Sequence, residues 1–139
     1  MIQVRHPEAL YTGAVYPDSY YDSICYKGMF HDTSETTHWM QFIEPALDYF
    51  RQRYPPSKPI DEEGEKLLTF LMGVIAHDVA DVVWHSLDID QGFIDTMGEL
   101  NFHGSYGNAH TVADPGGDVV NLYELPYPTA YFKQSKGFM

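Results

Sequence analysis

The sequence predicts an all-α fold. Three stretches carry the prediction, each with apolar residues at helical spacing: Pro45–Arg53, Glu65–His85 and Leu87–Phe102. The middle stretch contains His77, Asp81 and His85 at i, i+4 and i+8, and the rest of the chain is read around it. Its 139 residues suit one domain, residues 1–139, with a single core.

Pro7–Leu10 reads as a short helix opened by proline at its first position. Gly13–Asp18 reads as a loop, because Pro17 pushes Tyr16 toward extended backbone. Thr33, Ser34 or Thr36 is placed to cap a helix beginning nearby. Pro45 fits the first turn of a helix running to Arg53, with Leu47, Phe50 and Tyr54 on its apolar side. Prolines at 55, 56 and 59 mark a surface loop. Asp61 then caps the long helix, with Glu62 and Glu63 in the first turn where the helix dipole favours acids.

Apolar residues from Leu67 to Val83 cover nearly the whole circumference of that helix, which predicts a fully buried rod. In Leu87–Phe102, Ile89, Phe93, Ile94, Met97 and Leu100 hold helical spacing. Residues 103–118 hold four glycines and read as a loop, followed by a helical turn or two over Val119–Leu125. The tail after Leu125 reads as irregular.

Composition narrows the function. Hydrophobic residues make up 44% and aromatics 15%, a globular composition. The 20 acids against 8 bases give a formal charge of -12, and no basic patch stands out. Neither a nucleic acid nor an anionic membrane is attracted by such a charge. Cys25 is the only cysteine, so an internal disulfide and a zinc site of paired thiolates are both excluded. No uninterrupted apolar run approaches the ~18 residues of a membrane span. The first residues lack the apolar segment of a secretion signal.

The chemistry sits on His77, Asp81 and His85. Steps of four residues keep all three within about 80° of one helical stripe. Imidazole and carboxylate on one helical face make a metal-binding edge. His77 and His85 are ~12 Å apart along the axis, too far to share one ion. The spacing therefore asks for two or more ions, with Asp81 between them. The alternative is a set of core polar residues hydrogen-bonded to backbone. A second pair, His110 and Asp114, lies four residues apart in the glycine-rich stretch. By itself it reads as a solvated turn, and it gains meaning as a donor of further ligands. Asp18, His31 and His38 form no local motif. Asp78 reads as solvated or capping, and Trp39 and Trp84 as core.

Several motifs together carry a family resemblance: Gly13–Asp18, Phe30–Trp39, Ala76–His85, Trp84–Phe93, Asn101–Tyr106, Ala109–His110 and Gly116–Val119. The chain resembles the zinc-dependent phospholipase C family, in its glycosylphosphatidylinositol-specific phospholipase D branch, over residues 6–124. The resemblance implies an all-α helical bundle, incomplete at both ends, with Zn2+ as cofactor in two or three copies. It implies a first ion on Asp18, His38 or His31, His77 and Asp81, and a second on His85, His110 and Asp114. Asp81 would also reach a third ion, which the family completes with an early His and its mature N-terminus. His6 is a poor substitute for that His.

The activity implied is hydrolysis of the inositol phosphodiester of a lipid-anchored glycan, releasing phosphatidic acid, with Asp18 and Asp81 in catalytic roles. Glycosylphosphatidylinositol or phospholipid is the implied substrate, and the implied location is extracellular. Two other readings stand beside it. One is a catalytically inactive, truncated metal-binding domain of the same family. The other is a different phosphoester substrate, as in fold-related zinc nucleases, which the net charge of -12 disfavours.

Overall fold

A computed structural model describes residues 5–21 and 29–124; Cys25 and the tail after Glu124 lie outside the described residues. Every regular element among them is helical: α1 (Pro7–Val15), a 3-10 helix (Pro17–Tyr20), α2 (His31–Thr37), α3 (Met40–Arg53), α4 (Glu62–His85), α5 (Phe93–Asn101) and α6 (Tyr106–Glu124). The all-α expectation holds. The chain forms two compact units, Met1–Val82 and Val83–Met139, and the boundary falls within α4.

In the first unit α1 opens on Pro7 as expected, but it continues through Gly13 to Val15. Gly13 to Val15 are therefore α-helical, Tyr16 is a turn, and Asp18 lies in the 3-10 helix Pro17–Tyr20. Gly13 is where α1 comes closest to α4. A Cβ on Gly13 would lie 2.0 Å from the Phe70 carbonyl oxygen, and one on Gly73 would lie 2.2 Å from that of Leu10. Two glycines thus let α1 and α4 meet backbone to backbone.

The turn after α1 is fixed by Ser34, a fully buried residue whose hydroxyl accepts the Tyr20 N–H at 3.2 Å. Ser34 is thus a cross-link inside α2 and not its cap; the residue before the helix is Phe30, which makes no side-chain cap bond. Pro45 lies inside α3, which begins five residues earlier at Met40, so the break expected before it is absent. Proline there costs one N–H bond, and the helix carries on through it. Asp61 does cap α4: its Oδ1 accepts the Gly64 N–H at 2.9 Å and its carbonyl accepts that of Glu65.

The expectation of a fully buried α4 is not met. Leu71, Gly73 and Val74 are buried, while Met72, Val79 and Val83 are exposed. An apolar circumference states what a helix can bury; the number of neighbours decides what it does bury. Among the described residues α4 alone is long and apolar enough to cross a membrane by length and composition, with only 17% of that window buried.

The second unit is built on a cluster of Ile94, Ala109 and Ala113, with Trp84, Met97 and Phe102 packed against it. α5 packs along α6. The helix expected from Leu87 starts only at Phe93, because Ser86, Asp88 and Gln91 take left-handed backbone that a helix cannot contain. The glycine-rich stretch expected as a loop is instead the body of α6, with Pro115 inside it.

Candidate metal centres

Two groups of side chains have ligand atoms close enough to hold one metal ion each: Asp18, His38 and His77 in the first unit, and His85, His110 and Asp114 in the second. Within each group the candidate atoms lie within 4.8 Å of one another. His77 and His85 therefore fall in different groups, as their spacing along α4 requires.

The first group draws on three elements. The 3-10 turn after α1 presents Asp18, the end of α2 presents His38, and the middle of α4 presents His77. His38 Nδ1 lies 2.7 Å from the Ser34 carbonyl oxygen, and His77 Nδ1 lies 2.9 Å from that of Ala14. A carbonyl only accepts, so both Nδ1 atoms carry hydrogen. In the neutral imidazoles both Nε2 atoms are then bare lone pairs. Those two Nε2 atoms face each other at 3.2 Å, and Asp18 Oδ1 lies 3.2 Å from the His38 Nε2. Two lone pairs and a carboxylate at that range repel unless a cation stands among them.

In the metal-free protein a proton takes that place. Burial pulls the His38 pKa down, but hydrogen bonds to Asp18 and Ser34 and the charges of Asp18 and Asp81 outweigh it and hold it at about 9. The arrangement also suits a metal ion. Ligating imidazoles are commonly held by a carbonyl on the far ring nitrogen, as both are here. The donor set of two imidazoles and a carboxylate suits zinc.

Asp81 and His31 stand outside this group. Asp81 is near enough for its charge to act on His38, Tyr21 and Asp78. His31 stacks edge-on against Tyr21 at 4.9 Å, and His38 is the imidazole brought to Asp18. His6 is likewise elsewhere, paired with Glu65 at 3.3 Å. Asp78 is half-buried and lies within α4, where it is not a cap: its Oδ1 is buried without a hydrogen-bond partner, and burial raises its pKa. It lines an apolar cleft of about 230 Å³ with His38, Trp39, Ile43, Ile75 and Val79.

The second group comes from the last residue of α4 and one turn of α6. His110 Nε2 lies 3.5 Å from Asp114 Oδ2, and the His85 and His110 rings stack with centroids 4.9 Å apart. The Tyr106 hydroxyl donates to the His85 carbonyl at 3.0 Å, tying α6 to the end of α4. The helical form of residues 106–124 brings His110 and Asp114 onto one face, which a loop would not guarantee. Sequence reasoning missed Trp84 here: its indole N–H donates to Asp114 Oδ1 at 2.9 Å. Its position beside His85 is the only sign the sequence offers.

Comparison with known proteins finds relatives of the chain. A family model described as zinc dependent phospholipase C matches residues 4–138. Phosphatidylinositol-glycan-specific phospholipase D of Bos taurus is 50% identical over 124 residues, covering 89% of this chain and 14% of that protein. The Homo sapiens protein of the same name is 47% identical over 124 residues, with the same coverage. That of Dictyostelium discoideum is 40% identical over 116 residues, or 83% of this chain and 11% of that protein. The chain thus spans a small part of the length of each of these relatives. No solved structure matches it significantly. With the match running through both histidine–aspartate groups, the chain belongs to the zinc dependent phospholipase C family.

Proposed function

We propose that the chain is a zinc-dependent phosphodiester hydrolase acting on glycosylphosphatidylinositol. Asp18, His38 and His77 would hold one ion, and His85, His110 and Asp114 a second. Asp81 supplies negative charge beside the first group. The observation that carries this reading is the pair of Nε2 atoms 3.2 Å apart, with a carboxylate oxygen 3.2 Å from one of them.

An ion held by these residues would supply a coordinated water of near-neutral pKa and would offset charge on the phosphoryl oxygens. The chain's own residues do the rest. The Ser34 and Ala14 carbonyls fix the tautomers and ring planes of His38 and His77. Asp18, about half exposed, has one oxygen on His38 and the other 3.7 Å from His77 Nε2. From there it orients the attacking water and accepts its proton. The apolar cleft beside His38 favours a substrate with acyl chains over a nucleotide, as does the net charge of -12. The names of the relatives supply the glycan-linked inositol phosphodiester.

The test is hydrolysis by the zinc-loaded chain of a detergent-dispersed glycosylphosphatidylinositol-anchored protein, with single-stranded DNA as comparator. The expected result is phosphatidic acid release and no cleavage of DNA. Zinc uptake with neither reaction overturns the proposal in favour of an inactive metal-binding domain.

A further inference from the structure

Asp114 is held by more than its position on α6. Its Oδ1 accepts the Trp84 indole N–H at 2.9 Å, while its Oδ2 is turned to His110 at 3.5 Å. The indole itself is seated from two sides. Its ring lies 4.5 Å from that of Phe93, tilted by 30°. On α6 it rests over Gly117, where a Cβ would come within 2.9 Å of the Trp84 six-membered ring. Asp114 and Gly117 are three residues apart on α6, so one turn of that helix both receives the N–H and makes room for the ring.

Trp84 directly precedes His85 on α4, and the two side chains leave the helix about 100° apart. One helix end therefore offers His85 to the group and, through its neighbour, fixes the carboxylate that completes it. We propose that Trp84 is a positioning residue of the second metal group. Its N–H occupies one oxygen of Asp114, so that the other faces His110 and His85 as a single metal ligand. The inference rests on the reading that this group holds zinc. An unrestrained carboxylate on an exposed helix face would sample several rotamers, and each would be lost on binding.

The experiment is a competitive zinc titration of the full chain against a chromophoric chelator, resolving two classes of site. Trp84→Phe removes the N–H and keeps an aromatic ring facing Phe93. The expected result is a 10- to 100-fold weaker second class with the first class unchanged. Gly117→Ala, which keeps the N–H but displaces the indole, weakens the same class. Should either variant fail to fold, the wild-type indole N–H resonance of Trp84 decides: zinc shifts it, and it stays protected from solvent exchange. Equal affinities in wild type and Trp84→Phe, or an indole resonance indifferent to zinc, overturn the proposal. A wild-type chain with no second class of site instead overturns the metal reading on which the proposal depends.

Discussion

The two histidine–aspartate groups are built from the same residue types and held in different ways. In the first, two imidazoles with side chains 8% and 14% exposed are pinned by backbone carbonyls. In the second, His110 and Asp114 are 43% and 42% exposed, and the carboxylate is fixed by a side-chain donor. Backbone restraint comes with the fold and survives most substitutions. Side-chain restraint can be removed by changing one atom. The first group is therefore preorganised by the crossing of α1, α2 and α4, and the second by the seating of one indole.

Substitutions separate the two. His77→Ala removes a proposed ligand whose ring a backbone carbonyl orients. It should abolish one class of zinc site and lower phosphodiester hydrolysis by about three orders of magnitude, from the several kcal/mol that a catalytic metal supplies. Steady-state kinetics beside zinc content check both. Gly73→Ala strikes the scaffold: a methyl group 2.2 Å from the Leu10 carbonyl forces α1 away from α4, carrying the Ala14 carbonyl off His77. A loss of about 3 kcal/mol is expected from such overpacking, read by urea denaturation, together with weaker zinc binding in the first group only.

Acidity should also act unequally. His38 holds its proton to about pH 9 in the metal-free protein, so zinc must displace it at neutral pH. Affinity of the first group should rise with pH, by up to about tenfold per unit, until pH 9 is reached. Isothermal titration in buffers of different ionisation enthalpy measures the released proton. The smallest effect belongs to Ser34→Ala. It leaves the Tyr20 N–H without its partner at the turn bearing Asp18, at a cost of about 1 kcal/mol in stability.

The legibility of these features in the sequence follows physical lines. His77 and His85 could be assigned to separate ligand groups from helical rise alone, since that depends on one element. Asp18 and His38 could be joined to them only by resemblance, because no local spacing encodes a meeting of three helices. The glycines at 116 and 117 suggested a loop, yet Gly117 serves the contact with Trp84 and α6 remains helical around it. Glycine and proline are read as breakers when their role in packing is unseen. The exposure of Val79 and Met72 was invisible for a similar reason: periodicity describes one helix and says nothing of how many others surround it.

The most direct test of the account is the zinc content of the metal-loaded chain after dialysis, determined for wild type, His77→Ala and His110→Ala. Two separate metal groups predict at least two ions per chain in wild type and one fewer in each variant. A wild-type chain that retains no zinc, or variants that retain as much as wild type, would contradict it.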